Sequence, residues 1–378
     1  MVSLTAIQRL TSAKKLIIKI GSQLLVSSAN DSLRTSWMRA LAKDIGQLRA
    51  NNCQVVLVSS GAVALGRQSM AVHGRSLKLE EKQALAAIGQ MQLAQAWSHA
   101  FADLQIKVGQ VLLTIDDTEN RRRWLNSSST LNSLLQMGVL PLINENDSVA
   151  SDEIRFGDND QLAARTAQMI GADLLVLLSD IDGLYSQDPN ISQDTRHISK
   201  VDKITEEIEQ MGTNNRHGLG SGGMKTKIMA AKIAGAAGCA TIIADGRNDA
   251  PISTLLSGAK CTLFLPQIKP AQARKNWIAG TVQPKGKLII DDGAVNALTG
   301  GASLLAAGIV GLSGKFERGE VVSIYCAQNT EIARGLAAYS VSEINQIKGL
   351  RSEQITAVLG YEPRKAVVHR DNLVLIRR

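Results

Sequence analysis

Continuous apolar runs alternate with helix-length amphipathic segments through the first two thirds of the chain. Runs such as 16–21 and 55–61 end in Gly or Ser, which is typical of strands buried on both faces of a sheet. Strands of this kind that alternate with helices predict an α/β fold with a parallel sheet and right-handed crossovers. The predicted strands are 16–21, 55–61, 108–114, 140–146, 173–180, 240–245 and 261–265. The predicted helices are 34–50, 79–104, 121–137, a segment that begins near 158, and 224–238.

The predicted helix 79–104 carries large or apolar residues every three or four positions. Such a stripe is the signature of an amphipathic helix, and we expect it to face the core. Its members are Leu85, Ile88, Met91, Ala94, Trp97 and Phe101.

The pattern changes after residue 265. Residues 266–284 hold three prolines and no clear period, which indicates a linker. Beyond them, short β-type runs punctuated by glycine surround a brief helix with Ala294 and Leu298. The sequence therefore predicts an α/β domain over 1–265, the linker, and a small β-rich domain over 285–378.

Composition narrows the class of protein. The chain has 378 residues, of which 44% are hydrophobic and only 3% aromatic, so the core must be aliphatic and platforms that stack nucleic-acid bases are not expected. The net charge of +8 is dispersed: residues 285–378 hold 12 Lys and Arg against 9 Asp and Glu, a balance of +3. Such a charge suits an enzyme that handles anions at least as well as a nucleic-acid-binding protein.

The cysteines and the apolar segments argue against disulfides, zinc and membranes. No two cysteines form a CxxC pair, and apolar residues surround each, so buried thiols are expected. No apolar stretch reaches transmembrane length, and the first residues lack the apolar core of a signal peptide. We expect a cytoplasmic protein without a membrane partner. The cysteines are Cys53, Cys239, Cys261 and Cys326.

A glycine-rich stretch, GLGSGGMKTK at 218–227, is the strongest candidate for a binding site. Glycines free the backbone to direct several N–H groups at one anion, and the helix that follows adds the positive end of its dipole. Because Met224 follows Gly223, the stretch is not a Walker A loop. A flexible surface loop with a solvated basic helix is the alternative interpretation.

Two lysines are candidates to contact that anion. Helical spacing puts Lys227 beside the apolar face of the predicted helix, while Lys225 and Lys232 lie further round. Lys19 lies inside an apolar strand, which is costly unless its ammonium reaches an anion at the strand end. Two cations that converge on a phosphoryl group would catalyse its transfer. A lysine that extends to solvent at a strand edge is the alternative for Lys19.

Polar residues follow five predicted strands. Because the carboxyl ends of parallel strands meet at one edge of a sheet, a shared site is expected there, although turns alone also favour these residue types. The strand ends are Gly21-Ser22, Ser59-Ser60-Gly61, Thr114 to Asp117, Asn144 to Asp147, and Ser179-Asp180.

The sequence GDND at 157–160 places two acids and an amide at the start of a predicted helix. Asp158 with Gln161 matches a capping box, which explains one acid but not both. Asp160 could hold the two lysines in place or lie near Mg²⁺. Asn159 and Asp147 could recognise a polar substrate.

Taken together, these motifs resemble the bacterial glutamate 5-kinases, members of the amino acid kinase fold with a C-terminal PUA domain. The resemblance covers nearly the whole chain from Lys14 onward. It implies a parallel-sheet α/β/α domain followed by a small β-rich PUA-like domain. The matching segments are IKIGS, VSSGAVALG, INENDSVA, EIRFGDND, LLSDIDGLY and GLGSGGMKTK, and then DDGAVNAL, SLLAAGIVGLSGKFERGEVV and AVVHRDN.

The resemblance implies ATP-dependent, Mg²⁺-assisted phosphorylation of the γ-carboxylate of L-glutamate, the first step toward proline. It implies that Ser60, Asp147 and Asn159 bind glutamate and that Lys19, Lys227 and Asp160 are catalytic. It further implies a set of ATP contacts, with the metal ligands left open. These contacts are Lys19, Gly21, Ser22, Ser179, Asp180, Ser221, Gly222, Gly223, Met224, Lys225, Thr226 and Lys227.

The resemblance also implies partners: proline as a feedback inhibitor, glutamate-5-semialdehyde dehydrogenase in the same pathway, and a homo-oligomer. Gln23 departs from the family, which often has a small hydroxyl residue there, and Ser221 replaces the commoner threonine. A sister kinase for aspartate or N-acetylglutamate is an alternative. An RNA-binding role through the PUA-like module is a second, which the +3 balance and the scarce aromatics disfavour.

Overall fold

The computed structural model describes residues 5–376, except 27–31, 73, 150–158, 188, 190–194, 214–222, 267, 269–277, 279–283, 362 and 365. The chain divides into two compact units, residues 1–270 and 271–378. The predicted linker 266–284 lies almost wholly outside the described residues, and the domain limits at 265 and 285 stay predictions.

An eight-stranded sheet forms the centre of the first unit, in the spatial order β3-β4-β2-β1-β5-β9-β10-β8. All pairs from β3 to β9 are parallel, which confirms the predicted α/β class. The two remaining strands, β6 and β7, pair with each other. In chain order the strands are β1 (Lys15–Ile20), β2 (Gln54–Ser59), β3 (Val108–Leu113), β4 (Leu140–Glu145), β5 (Leu174–Ser179), β6 (Leu184–Tyr185), β7 (His197–Ile198), β8 (Lys200–Val201), β9 (Ala240–Asp245) and β10 (Cys261–Phe264).

Helices cover both faces of this sheet. They are α1 (Ala6–Ser12), α2 (Ser22–Leu25), α3 (Thr35–Ala50), α4 (Ala62–Ser69), α5 (Leu79–Ala102), α6 (Ile115–Glu119), α7 (Arg121–Gln136), α8 (Asn159–Ile170), α9 (Glu206–Thr213), α10 (Met224–Ala236) and α11 (Pro251–Leu256). Of the described helices, none is long and apolar enough to cross a bilayer.

The strand β10 differs from expectation, because it runs antiparallel to β9. The only described helix between the two strands is α11, with six residues. At 1.5 Å per residue α11 is about 9 Å long, too short to return along a six-residue strand as a crossover helix does.

The two faces of the sheet build separate cores, and strand alternation decides which residue enters which. Leu16, Ile18 and Ile20 of β1 pack with α3 and α5, whereas Ile17 packs on the opposite face with α8 and α10. Side chains alternate along a strand, so Lys19 shares the face of Ile17. The period of two thus directs this lysine at α8 and α10.

The buried face of α5 shares Leu85, Trp97 and Phe101 with the predicted stripe and differs from it at Ile88 and Met91. Ile88 and Met91 are exposed, the latter by 77%, because the buried face is rotated toward α4. A Cβ on Gly89 would lie 1.9 Å from the carbonyl oxygen of Ala62, and one on Gly66 1.9 Å from that of Leu85, so the two helices are in backbone contact. The buried residues of α5 are Leu85, Ala86, Gly89, Gln90, Leu93, Trp97, Ala100 and Phe101.

The second unit is β-rich, as predicted. Its five strands lie in the order β12-β11-β13-β14-β15, and only the pair β11–β13 is parallel. The strands are β11 (Gly286–Ile290), β12 (Ile309–Gly314), β13 (Val321–Cys326), β14 (Glu331–Leu336) and β15 (Leu373–Leu375). The helices are α12 (Asp292–Thr299), α13 (Val341–Ile347) and α14 (Ser352–Leu359), with 3₁₀ turns at Ala306–Gly308 and Arg370–Asn372.

Candidate active site

A buried charged cluster lies beyond the carboxyl end of β1. The Asp160 carboxylate forms an ion pair with Lys19, with 2.6 Å between Oδ1 and Nζ, and accepts a hydrogen bond from Lys227 Nζ at 3.3 Å through Oδ2. Thr226 Oγ1 is 2.8 Å from the same Oδ2. Lys19 is 6% exposed, Lys227 5% and Asp160 1%. We call Lys19, Asp160, Thr226 and Lys227 the charged cluster; it joins residues from β1, α8 and α10.

Asp160 stays ionised although it is buried, because Lys19, Lys227 and Thr226 surround its carboxylate. Burial by itself raises the pKa of this carboxyl, but the charges of Lys19 and Lys227 and the hydrogen bonds from Lys19 and Thr226 outweigh that and lower the pKa to about 2. Asp160 is therefore an anion that holds two ammonium groups about one carboxylate. Lys19 Nζ has three N–H donors, so its bond to Asp160 leaves donors for a further anion.

The first turn of α10 brings Lys227 into this cluster. Met224 and Ile228 pack in the core beside it, and Lys225 is exposed, which agrees with the predicted helix face. Gly223 is the N-cap residue of α10 and has no side chain, so no side-chain oxygen at this position caps the positive end of the helix. Ser221 and Gly222 lie outside the described residues.

A chain of neutral side chains starts from the neighbouring residue of α8. Asn159 Nδ2 donates to Ser60 Oγ at 2.7 Å and to Asn144 Oδ1 at 3.0 Å. Asn144 Nδ2 donates in turn to Gln90 Oε1 at 2.6 Å. We call Ser60, Asn159, Asn144 and Gln90 the amide chain; it joins the ends of β2 and β4 to α8 and α5.

Sequence reasoning missed Gln90 and gave Asn144 no individual role. Gln90 is 9% exposed and lies inside a helix whose apolar period was assigned to another face. The sequence carries one signal: Gly89 precedes it in a helix, where glycine is unfavourable unless another backbone comes close.

Asp147 lies three residues beyond Asn144, at the end of β4. Burial, followed by the charge of Glu145, raises the pKa of Asp147 to about 7. Glu145 is 7% exposed. Within the part of the chain that the structure describes, no hydrogen bond joins Asp147 to Ser60 or Asn159.

The other predicted site residues occupy neighbouring strand ends without joining either group. Gly21 and Ser22 begin α2, and Ser179 Oγ donates to Asp180 Oδ1 at 3.0 Å. Thr114 and Asp117 form a capping box on their own helix, α6, so helix capping explains the polar residues at the end of β3. Asp158 and its predicted capping box lie outside the described residues.

The described residues provide no protein cage for a metal. They hold no group of three His, Cys, Asp or Glu side chains placed to bind an ion. Asp160, which the sequence proposed either as a holder of lysines or as a neighbour of Mg²⁺, has its carboxylate oxygens turned toward Lys19, Thr226 and Lys227. The fit favours the first role.

Comparison with known proteins identifies both units. Residues 14–245 match the amino acid kinase family, and residues 286–359 match the PUA domain. The chain is 49% identical over 372 residues to a glutamate 5-kinase of Rhizobium rhizogenes, covering 98% of this chain and 95% of that protein. It is 51% identical over 366 residues to the glutamate 5-kinase of Paramagnetospirillum magneticum, covering 97% and 99%.

A third relative, glutamate 5-kinase 1 of Rhizobium meliloti, is 52% identical over 362 residues, with 96% of this chain and 92% of that protein covered. The match to the amino acid kinase model spans more than half of the chain, and these identities extend through the second unit as well. The chain belongs to the amino acid kinase family, and within it to the glutamate 5-kinases.

Proposed function

We propose that this protein transfers the γ-phosphoryl group of ATP to the γ-carboxylate of L-glutamate. The observation that carries the proposal is the adjacency of two unlike groups: Asp160 holds the charged cluster, and the preceding residue, Asn159, begins the amide chain. Phosphoryl transfer needs positive charge about the moving group and a positioned acceptor. At the start of α8, Asp160 holds the positive charges and Asn159 helps to position the acceptor.

The charged cluster is the phosphoryl end of this site. Lys19 and Lys227 stabilise negative charge on the transferring group, and Asp160 fixes the distance between their ammonium groups. No general base is required, because the acceptor is already a carboxylate. In this proposal the N-terminus of α10, with Met224, Lys225 and Thr226 after Gly223, binds the nucleotide phosphates, and Ser221 and Gly222 are further predicted contacts.

The acceptor end comprises Ser60, Asn159 and Asp147. Ser60 and Asn159 are already hydrogen-bonded to each other, which orients them before substrate arrives. Asp147 supplies negative charge for the ammonium of glutamate. Gly21, Ser22, Ser179 and Asp180 complete the nucleotide side as predicted contacts.

Mg²⁺ enters this proposal with the nucleotide. Because Mg²⁺ keeps several waters and is commonly bound through substrate phosphates with one or two carboxylates, it does not need a dedicated cage. When bound, it neutralises phosphate charge. Among the described residues, Asp160 holds and positions the two lysines.

The test follows ADP release with L-glutamate as acceptor and traps the acyl phosphate with hydroxylamine. We expect γ-glutamyl hydroxamate, with ATP and Mg²⁺ both required. Hydroxamate formed from aspartate or N-acetylglutamate, and not from glutamate, would reassign the protein to a sister kinase.

Several wider features accompany this proposal as predictions. Glutamyl phosphate leads toward proline, so proline is the predicted inhibitor and a glutamate-5-semialdehyde dehydrogenase the predicted next enzyme. We also predict that the protein forms a homo-oligomer and lies in the cytoplasm. For the PUA unit, a gel shift with structured RNA should show no steep salt dependence.

A further inference from the structure

We propose that Gln90 is a positioning residue for the acceptor: it sets the direction of the amide chain and thereby makes Asn159 a hydrogen-bond acceptor for substrate. This rests on the proposed function and assigns a role to a helix residue outside the site predicted above. Gln90 reaches the acceptor end only through Asn144.

The direction of the chain follows from counting donors. Asn159 Nδ2 has two N–H groups, and both are used, one toward Ser60 and one toward Asn144. Asn144 Oδ1 is therefore an acceptor, so its Nδ2 must donate, and Gln90 Oε1 receives that bond. The two links between Asn159 and Gln90 both run toward Gln90, the third runs from Asn159 to Ser60, and an acceptor at residue 90 completes this arrangement.

At the Asn159–Ser60 end of the amide chain, the same count leaves two groups for the substrate. Asn159 Oδ1 is buried and has no partner among the described residues. Ser60 Oγ accepts from Asn159, which leaves its own hydroxyl proton to donate. Among the polar groups of glutamate only the ammonium donates, so Asn159 Oδ1 faces the ammonium and Ser60 faces a carboxylate. If the amide chain ran the other way, Asn159 would present N–H groups to that ammonium.

The backbone of α5 holds Gln90 in place. Gly89, its neighbour, lies against Ala62 of α4, and α4 begins directly after Ser60-Gly61. Trp97 Nε1, about two turns further along α5, donates to Ser59 Oγ at 3.0 Å. Gln90 and Ser60, the two ends of the amide chain, are thus fixed to the same turn.

Two variants separate positioning from packing. Gln90→Met keeps the length of the side chain and removes the acceptor. Gln90→Glu keeps an acceptor oxygen at the position of Oε1 in either protonation state. The steady-state KM for L-glutamate and for ATP is measured for each, together with the inhibition constant of glutarate, which has both carboxylates of glutamate but no ammonium.

For Gln90→Met we expect the KM for glutamate to rise by at least about tenfold, since a hydrogen bond to a charged group is lost. The KM for ATP and the inhibition constant of glutarate should change by less than about twofold. The KM of Gln90→Glu for glutamate should stay close to the wild-type value. This pattern supports the proposal.

Equal increases for glutamate and glutarate in Gln90→Met would assign Gln90 a packing role and overturn the proposal. A Gln90→Glu variant as impaired as Gln90→Met, or an unchanged KM in both, would do the same. The proposed function is tested separately by hydroxamate formation in the wild type. A wild type inactive on glutamate would contradict that function, whereas these outcomes concern Gln90 in an active enzyme.

Discussion

The two halves of the site, the charged cluster and the amide chain, differ in the kind of side chain they contain, although they begin at adjacent residues of α8. The charged cluster packs two ammonium groups about one carboxylate, with all three side chains more than nine-tenths buried. The amide chain holds no formal charge and consists of one hydroxyl and three amides.

The difference follows from what each half must do. A transferring phosphoryl group gains from fixed positive charge, which is effective only where water is excluded. An amino acid carries both signs of charge, so its site must orient donors and acceptors, and amides have one of each. In the proposed function, the charged half therefore acts through the sign of its charge, and the neutral half through hydrogen-bond direction.

The largest expected effect is on the charged half. Lys227→Ala should lower kcat by about 10³-fold, because one of the two cations about the phosphoryl group is lost. Folding should persist, since Asp160 keeps Lys19 and Thr226 as partners. Hydroxamate assays and thermal unfolding measure the two quantities. Lys232→Ala, on the exposed side of the same helix, is the matched control, and a kcat equal to that control would remove Lys227 from the mechanism.

The neutral half can be displaced without touching the charged one. Gly89→Ala places a Cβ 1.9 Å from a backbone oxygen of α4, so the helices must separate, at a cost of about 1–3 kcal/mol in unfolding free energy. The KM for glutamate should rise while the KM for ATP stays. Gly46→Ala is the control, because its Cβ would meet only the two Leu104 methyl groups, at 3.5 and 3.9 Å. Equal rises in both KM values would show that the halves are not mechanically separate.

A pH profile distinguishes the halves by their titration. Asp147, with its pKa raised to about 7 by burial and by Glu145, loses its charge as the pH falls through about 7, so kcat/KM for glutamate should decrease there. Asp160, with a pKa of about 2, stays ionised throughout. In Asp147→Asn the profile should flatten near pH 7 and the KM should rise. An unchanged profile would exclude Asp147 from glutamate binding.

The same titration has a stability consequence of defined sign. The folded-state pKa of Asp147 lies above its ordinary value of 3.8, so the folded protein binds the proton more tightly than the unfolded chain. Its contribution to stability is therefore lost between about pH 4 and pH 7 as the pH rises. Urea unfolding above pH 7 should find Asp147→Asn at least as stable as the wild type.

The smallest expected effect concerns the tie between α5 and the Ser59-Ser60 turn. Trp97→Phe removes one buried hydrogen bond to Ser59, which contributes about 1 kcal/mol of unfolding free energy, and adds the cost of a cavity because Trp97 is fully buried. A double-mutant cycle with Ser59→Ala measures the coupling. Zero coupling would mean that backbone contact at Gly89 alone holds α5.

The sequence predicted the charged half better than the neutral half, for a physical reason. A lysine inside an apolar strand is conspicuous, and the periods of two and 3.6 residues place Lys19 and Lys227 on facing sides of adjacent layers. Gln90 has no such contrast, because a glutamine in a helix is ordinary at the surface. Gln90 is buried because the backbones of α4 and α5 are in contact, and the hydrophobic period of the sequence does not predict that contact. The antiparallel β10 escaped prediction similarly, since alternation does not specify strand direction.

Because Asn159 and Asp160 are consecutive, the proposed function implies that one step of a helix, a rise of about 1.5 Å with a turn of about 100°, sets the spacing between acceptor and phosphoryl donor. A shift of α8 that adapted the site to a different acceptor would therefore also displace the residue that positions the phosphoryl donor, and the reverse holds as well. Laboratory evolution toward a shorter or longer dicarboxylic acid should therefore accumulate its substitutions on the opposing wall, in α5 and after β4, and leave the first turn of α8 untouched.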